Sequence, residues 1–323
     1  MSKEWLLEVN HVVAEMPTDE GVVHILNDVS FRVAPEECFG LIGESGCGKS
    51  MTSLVVLHYA KQIGLHIVQG EVLFEGKDIT DYENTFLKNY NGKEVAVILQ
   101  NPMLALDPLY PVIDQITETI MAIENIGKKE SIHRAKEIAE KLAVPEEKLF
   151  CYPWQLSGGL LQRIVGIIAI SCRPKMIIAD EPTTALDVTT QLQYLKLLKK
   201  IQKEFGTTII FISHDIKTVS MMCDRIAVMY AGRIVEIASK EELFSNPKHP
   251  YTQALLLVAK TDDMTKEYYE TIEGQPPQLL EVPKGCVFEN RCPYRSEKCK
   301  NRFPEKTELG NGHEVFCWRV KDE

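Results

Sequence analysis

Long apolar runs are missing from this chain of 323 residues. A helix that crosses a bilayer needs roughly 20 consecutive apolar residues. The best run here, residues 164–170, is closed on either side by Arg163 and Arg173. The first residues, Met-Ser-Lys-Glu-Trp, also lack the apolar segment of a secretion signal. We therefore expect a cytosolic chain that reaches a membrane only through partner proteins.

An excess of positive charge is missing as well. The sequence has 36 Lys and Arg residues against 46 Asp and Glu residues, which gives a formal net charge of −10. Proteins that cover the phosphates of a nucleic acid usually have a basic surface, so this class of function is disfavoured. The sequence also contains no internal repeat and no low-complexity tract. Its length fits one full core and a small appendage, because domains typically have about 100–200 residues.

A glycine-rich segment follows an apolar run near the start of the chain. Residues 38–42 predict a buried strand, and residues 43–50 continue as Gly-Glu-Ser-Gly-Cys-Gly-Lys-Ser. Such a loop turns backbone amides toward phosphate oxygens, and the helix that follows adds the positive end of its dipole. We expect Lys49 to reach the outer phosphates of a nucleoside triphosphate and Ser50 to ligate Mg²⁺. The candidate nucleotide-binding residues here are Gly43, Ser45, Gly46, Cys47, Gly48, Lys49, Ser50 and Met51.

Polar side chains end three further apolar runs that predict strands. Asp180 and Glu181 follow the strand at 176–179. We expect Asp180 to hold magnesium through water and Glu181 to polarise an attacking water molecule. Gln100 ends the strand at 94–99 and is a candidate contact for both the nucleotide and its magnesium, and His214 ends the strand at 208–212. These side chains are the ones that triphosphate hydrolysis requires.

A second turn with glycines precedes the carboxylates. Leu156 is followed by Ser157, Gly158 and Gly159, which open a predicted helix with glycine amides and a serine hydroxyl suited to a phosphate. Between this turn and Gln100, residues 112–150 have isoleucines at helical spacing and predict a helical insertion. Strand and helix patterns then alternate at 176–183, 208–213 and 226–230, which indicates an α/β core with a mostly parallel sheet.

In this order the motifs resemble those of the ATP-binding-cassette (ABC) ATPases, and the resemblance covers roughly the first 245 residues. It implies a P-loop core of the α/β class, with a nucleotide-binding domain at 1–245 and a helical subdomain at about 102–165. It also implies ATP hydrolysis in which Glu181 and His214 are catalytic, His214 contacting the γ-phosphate. Two departures from the family pattern are Leu160, where many relatives have glutamine, and Met16, where relatives stack an aromatic residue on adenine.

The resemblance further implies that two such domains face each other head to tail. Ser157, Gly158 and Gly159 then act on the ATP bound by the partner's phosphate loop. Asp187, in the segment Ala185-Leu186-Asp187, carries a signal across the dimer. An isolated chain is therefore expected to be a monomer or weak dimer with low activity.

Cysteines cluster near the C-terminus. Four of the nine, at positions 286, 292, 299 and 317, fall in this last part of the chain. Disulfides are rare in the cytosol, so the cluster favours a metal site. Structural zinc sites usually include a pair of ligands two to four residues apart, and no such pair occurs here. We favour a four-iron four-sulfur cluster on Cys286, Cys292, Cys299 and Cys317, with zinc or a core of reduced thiols as alternatives.

The C-terminal motifs resemble those of the oligopeptide, dipeptide and nickel importer subgroup. They are Asn246-Pro247, His249-Pro250-Tyr251-Thr252, Gly285-Cys286, Phe288, Arg291-Cys292-Pro293, Cys299, Pro304 and Cys317. The resemblance implies a C-terminal region at 246–323 and an iron-sulfur cluster, which some members of the subgroup carry. His313 is expected to be an ordinary polar or capping residue, and His249 is expected to belong to the linker after the nucleotide-binding domain.

This second resemblance also implies a function and partners. The chain is expected to energise the import of peptides or related small solutes from the cytoplasmic face of the cell membrane. Its partners are then two permease subunits, a second homologous ATPase in a heterodimer or homodimer, and, indirectly, an extracellular substrate-binding protein. Import of nickel or a metal complex is the alternative. A non-transport ABC ATPase that acts on nucleic acid or ribosomes is less favoured, because the chain has a single cassette and a negative charge.

Overall fold

The computed structural model describes residues 5–80, 87, 90–184, 186–261 and 272–322. The chain forms two compact units. The first unit combines Met1–Ala34, Phe39–Tyr82 and Ile212–Glu323, and the second combines Pro35–Cys38 and Glu83–Phe211. No helix of the described residues has both the length and the apolar character needed to cross a membrane.

The strands of the described residues are numbered along the chain. They are β1 (Leu7–Thr18), β2 (Gly21–Val33), β3 (Cys38–Ile42), β4 (His66–Phe74), β5 (Lys77–Asp78), β6 (Val95–Ile98), β7 (Met176–Asp180), β8 (Thr208–Ser213), β9 (Arg225–Tyr230), β10 (Arg233–Ser239), β11 (Thr307–Glu308) and β12 (Glu314–Val315).

The α-helices are numbered in the same way. They are α1 (Lys49–Val56), α2 (Val112–Glu124), α3 (Lys128–Lys141), α4 (Glu146–Leu149), α5 (Gly158–Ile170), α6 (Val188–Phe205), α7 (Ile216–Met222), α8 (Lys240–Ser245), α9 (Pro250–Thr261), α10 (Glu297–Asn301) and α11 (Trp318–Asp322).

The first unit contains two groups of strands. The strands β2, β1, β4 and β5 pair in this order as an antiparallel sheet. In the second group the order is β11, β12, β10, β9 and β3, and the β3–β9 pair is parallel. Every residue of β3 is buried, as expected for a central strand with an uninterrupted apolar sequence. This strand leads directly into the glycine-rich loop.

The C-terminal part of the chain adds a strand to the first unit. The short strand β12 pairs antiparallel with β10, with Glu236 opposite Val315. The backbone amide of Phe316 also donates to the carbonyl of Val235, at 2.9 Å. The strand β12 and its other neighbour, β11, have two residues each, so they are too short to leave a period-two pattern in the sequence.

The second unit has residues 208–211 of β8, followed in strand order by β7 and β6, together with helices α2, α3, α5 and α6, and the last two residues of β8 belong to the first unit. Strands β6 and β7 are parallel, with Ile98 opposite Ala179, so their carboxyl ends meet at one edge. Helix α5 buries most of its apolar residues, as expected for a core helix. The helical insertion expected at 112–150 contains α2, α3 and α4, and Asn125 ends α2 in a left-handed conformation.

Candidate nucleotide-binding site

The glycine-rich loop lies in the first unit between β3 and α1. Gly43 has φ 156°, and a Cβ at this position would lie 2.1 Å from the carbonyl oxygen of Met229. No larger residue fits there without moving the β9 backbone. Gly48 has φ 107° and precedes α1 without a side-chain hydrogen bond to the helix amides. The start of α1 is therefore open to an anion, as a phosphate-binding loop requires.

Lys49 is buried, with 6% of its surface exposed. Its Nζ donates to the carbonyl oxygens of Gly43 at 2.8 Å and Glu44 at 2.9 Å. The lysine is thus folded back over the loop. Cys47 lies beside it, with Sγ 3.7 Å from Nζ, and burial raises the pKa of this thiol. The Cys47 side chain therefore remains a neutral thiol next to the cation.

Glu44 connects the loop to distant parts of the same unit. Its backbone amide donates to the hydroxyl of Tyr251 at 2.9 Å, and its carboxylate accepts from Nη1 of Arg291 at 2.8 Å. The sequence identified Tyr251 and Arg291 only as members of C-terminal motifs. Nothing in their local pattern indicated contact with a loop more than 200 residues away.

His214 follows β8 in the first unit and is exposed. The next residue, Asp215, caps α7 by accepting from the amide of Lys217 at 2.9 Å. The amide of Asp215 donates in turn to the hydroxyl of Ser213, also at 2.9 Å. The histidine therefore stands at a fixed turn between a buried strand and a helix.

Gln100 and Glu181 lie together in the second unit, beyond the ends of the parallel strands β6 and β7. Nε2 of Gln100 donates to Oε2 of Glu181 at 3.1 Å. The hydroxyl of Thr184 donates to the same oxygen, also at 3.1 Å. The two donors hold the Glu181 carboxylate in one orientation, and Asp180 precedes it as the last residue of β7.

The backbone of Glu181 is left-handed, with φ 46°. Such a conformation is uncommon for a residue other than glycine, and it costs roughly 1–3 kcal/mol where it occurs. Strain of this kind concentrates at functional sites, where the surroundings impose it. This strain could not be predicted from the sequence, because the apolar residues before Glu181 indicate only where the strand ends.

Ser157, Gly158, Gly159 and Asp187 line one recess of the second unit. The other residues of its lining are Leu160, Arg163, Leu186, Thr190 and Gln193. Asp187 caps α6 by accepting from the amides of Thr189 and Thr190, and the hydrogen bonds from Thr190 hold the pKa of Asp187 below its usual value. A Cβ at Gly159 would lie 2.6 Å from Cγ2 of Thr190. Ala185 of the predicted Ala185-Leu186-Asp187 segment lies outside the described residues.

The four C-terminal cysteines line one small cavity in the first unit, and we call residues 286–317 the cysteine-rich segment. The cavity is lined by Cys286, Cys292, Cys299 and Cys317 together with His249, Pro250, Phe288, Glu289, Tyr294, Trp318 and Arg319. The amide of Cys286 donates to the carbonyl of Cys299 at 2.7 Å. A Cβ at Gly285 would lie 2.0 Å from that carbonyl oxygen, so only glycine permits this approach.

Burial disfavours free thiolates in this cavity. It raises the pKa of the Cys286 thiol to about 12 and also raises the pKa values of Cys292 and Cys317. In the described part of the chain, no three His, Cys, Asp or Glu residues are arranged to hold a single metal ion.

A buried carboxylate ties the C-terminal part of the chain to β10. Glu236 is fully buried and accepts hydrogen bonds from the amides of Lys248 and His249 and from Nε2 of His313. Burial alone raises the pKa of Glu236, but these donors outweigh it, and His313 contributes most to the net lowering. His313 is therefore not the ordinary polar residue that the sequence suggested, because it is buried, and the linker residue His249 is buried as well.

Two known families match parts of this chain. The family described as "ABC transporter" matches residues 26–184. The family described as "Oligopeptide/dipeptide transporter, C-terminal region" matches residues 235–299. The first match includes the glycine-rich loop and the Asp180-Glu181 pair, and the second includes Cys286, Cys292 and Cys299.

Curated relatives are similar over nearly the whole chain. The "Dipeptide transport ATP-binding protein DppD" of Bacillus subtilis is 38% identical over 98% of this chain and 95% of its own length. The "Oligopeptide transport ATP-binding protein OppD" of Haemophilus influenzae is 37% identical over 97% of both chains. The protein of the same name from Bacillus subtilis is 40% identical over 97% of this chain and 88% of its own.

Solved structures share the fold. "Dimeric Structure of MJ0796, a Bacterial ABC Transporter Cassette" has a TM-score of 0.65 at 24% identity, covering 72% of this chain and 98% of that chain. The structure of cbiO1 from Clostridium perfringens has a TM-score of 0.66 at 24% identity, covering 80% and 95%. These similarities confirm the α/β nucleotide-binding fold that the sequence predicted.

Proposed function

The chain belongs to the ATP-binding subunits of oligopeptide and dipeptide ABC transporters, and we propose that it hydrolyses ATP to drive the import of peptides. The similarity to peptide-transport relatives over nearly the whole chain carries this proposal. The similarity includes the C-terminal region, which the shorter match to a general cassette leaves out. The alternative function is the import of nickel or a metal complex, because we expect other subunits of the transporter to select the substrate.

The phosphate-loop residues have the chemistry that ATP binding needs. The amides of the loop and the ammonium of Lys49 are donors for phosphate oxygens, with Gly43, Gly46 and Gly48 all at positive φ. Ser50, Asp180 and Gln100 supply the oxygen ligands that Mg²⁺ prefers. The magnesium ion neutralises charge on the phosphates when it is bound. In this proposal the loop and Lys49 bind the phosphates of ATP, and these three side chains position the magnesium ion.

Glu181 is the proposed base that orients the attacking water. Its carboxylate is already held by Gln100 and Thr184 through Oε2. Catalysis of phosphoryl transfer depends on positioning and on charge stabilisation, so a pre-oriented carboxylate lowers the cost of reaching the transition state. We assign the contact with the γ-phosphate to His214.

The recess at Ser157 is the proposed contact for the nucleotide of a partner cassette. Helix α5 begins with Gly158 and Gly159, and both glycines line this recess. In the proposed dimer, Asp187 carries a signal to the nucleotide site of the partner cassette. The partner is a second homologous ATPase or another copy of this chain. Two permease subunits complete the transporter, which an extracellular binding protein supplies, and the ATPase then works at the cytoplasmic face of the membrane.

We further propose that the C-terminal region, 246–323, holds a four-iron four-sulfur cluster on Cys286, Cys292, Cys299 and Cys317. The cavity that the four cysteines share supports this assignment. A cluster would supply positive metal charge that stabilises the thiolates and, with it, the fold of a segment that has only short helices and strands. The nucleotide-binding domain then comprises 1–245, with its helical subdomain at about 102–165.

The experiment is co-expression with two permease subunits and a second ATPase, followed by an ATPase assay in lipid. We expect di- or oligopeptide presented by its binding protein to raise the ATPase rate, and free nickel or a nickel complex to leave it unchanged. A rate that responds to nickel and not to peptide would move the assignment to the metal importers. An ATPase rate that responds to RNA or ribosomes would instead identify the chain as a non-transport ABC ATPase.

A further inference from the structure

Arg291 connects the cysteine-rich segment to the phosphate loop. It ends a short 3₁₀ turn, Glu289–Arg291, that lies between Cys286 and Cys292. Its side chain is 5% exposed. The guanidinium donates to Oε2 of Glu44 at 2.8 Å, the hydroxyl of Tyr230 at 3.1 Å, the carbonyl of Ile272 at 2.8 Å and the carbonyl of Glu273 at 2.9 Å.

The position of Arg291 is fixed from several directions. Its guanidinium lies 5.7 Å from the ring centroid of Tyr230. Gly274 has φ 84°, and a Cβ there would lie 3.2 Å from Cγ of Arg291, so a glycine leaves room for the arginine stem. Because these groups hold a fork of several donors, a lysine cannot reproduce the contacts of the arginine.

Glu44 receives three contacts that together define its place in the loop. Its carbonyl accepts from Lys49, its amide donates to Tyr251, and its carboxylate pairs with Arg291. Tyr251 packs in turn against Phe288, with ring centroids 5.3 Å apart. Two of the three contacts therefore come from the C-terminal part of the chain.

The Glu44 carboxylate is unfavourable for a loop that binds a triphosphate. An unpaired negative charge near several phosphate charges repels them, and partial burial weakens the screening by water. Arg291 cancels this charge when the cysteine-rich segment is folded. If the segment loses its order, the carboxylate is left uncompensated and the loop loses one of its supports.

We propose that Arg291 is a positioning residue for the phosphate loop, through which the order of the cysteine-rich segment sets the affinity for ATP. The inference rests on the proposed nucleotide and cluster sites. It makes the metal group a determinant of nucleotide binding without a part in the hydrolysis step. Loss of the cluster then acts at Glu44, far along the chain from the cysteines.

The first test measures the Kd for MgATP by calorimetry on the full chain. We expect Arg291→Ala to raise the Kd about tenfold, as one uncompensated charge near the phosphates would. The double variant Arg291→Ala/Glu44→Gln should restore most of the affinity, because it removes the charge. Arg302→Ala is the matched control, since Arg302 lies in the same segment with an exposed side chain. An unchanged Kd in Arg291→Ala, or no recovery in the double variant, overturns the proposal.

The second test removes the metal group and uses Glu44→Gln as the background. Cys292→Ser should raise the Kd for MgATP about tenfold when Glu44 is present and much less in Glu44→Gln, and Arg291→Ala should add little to Cys292→Ser. Equal weakening in both backgrounds overturns the coupling even if Arg291→Ala itself misfolds. Wild-type protein that binds no MgATP contradicts the nucleotide site instead. Wild-type protein without iron or sulfide contradicts the cluster, and the first test then decides the role of Arg291 alone.

Discussion

The phosphate loop and the cysteine-rich segment belong to the same compact unit but are held in place by different means. The loop follows a strand with five buried residues, and its backbone is fixed by glycines packed against β9. The cysteine-rich segment has only short helices and strands, and it depends on buried polar contacts such as Glu236 with His313. The loop in the central sheet is therefore expected to keep its fold when one side chain is lost, whereas a segment held by single hydrogen bonds and by the proposed cluster is expected to lose its order.

The largest expected effect lies in the core and should leave the cysteine-rich segment untouched. We expect Glu181→Gln to lower the ATPase rate of the assembled complex by roughly a thousandfold, because the water loses its orienting carboxylate. Nucleotide affinity and iron content should stay at wild-type levels, as measured by calorimetry and metal analysis. Glu130→Gln, on the exposed side of α3, is the control. Turnover close to wild type would remove Glu181 from this role.

Lys49→Ala should act on binding as well as on turnover. Lys49 holds two loop carbonyls and is the proposed phosphate contact, so its loss affects both the loop and the ligand. We expect the Kd for MgATP to rise by about a hundredfold, as for the loss of a buried charged contact. Equilibrium titration checks this value. Wild-type affinity in a correctly folded Lys49→Ala protein would show that the lysine does not contact the nucleotide.

Replacing one cysteine tests the cysteine-rich segment without changing the phosphate loop. Anaerobically purified wild type should contain about four iron and four acid-labile sulfide per chain. Cys292→Ser should lose both, and the melting temperature should fall, because metal binding supplies folding free energy to this segment. Cys151→Ser, outside the cavity, serves as control. Stoichiometric zinc without sulfide in the wild type would replace the cluster with the zinc alternative.

The smallest expected effect is on stability and depends on pH. The pKa of Glu236 in the folded protein is below its ordinary value of 4.5, so the ionised carboxylate stabilises the fold above that value, and the contribution is lost as the pH falls further. Glu236→Gln should therefore lower the unfolding free energy by about 1–3 kcal/mol at pH 7. The difference from wild type should shrink below about pH 4. Urea unfolding at both pH values tests this, and a difference independent of pH would contradict the assignment.

The sequence locates the candidate site residues that depend on neighbours along the chain. The loop at 43–50, Gln100 and Glu181 each follow an apolar strand, and the parallel strands β6 and β7 bring Gln100 and Glu181 together at their carboxyl ends. The pairs Glu44–Arg291 and Glu236–His313 could not be predicted, because the partners are 247 and 77 residues apart. The periodicity of apolar residues along the chain does not indicate contacts between distant residues. The left-handed backbone of Glu181 is likewise imposed by the surrounding fold.

The helices and strands divide in the same way into those that the sequence predicts and those that it does not. Long patterns such as the helices at 112–141 and the strand before Glu181 were visible, since apolar residues recur at a regular period. The C-terminal strands were not, because two residues carry no period. Gly285 was noted only as part of a motif, although its close approach to Cys299 determines how the chain surrounds the cavity.

The most direct test of the central claim is ATP-driven uptake of a labelled peptide by vesicles that contain the complete transporter. We expect uptake to require ATP, the binding protein and this subunit. It should fall to background when Glu181→Gln replaces the wild type, although ATP still binds. Peptide accumulation that is equal with and without this subunit, or that persists with Glu181→Gln, would contradict the account.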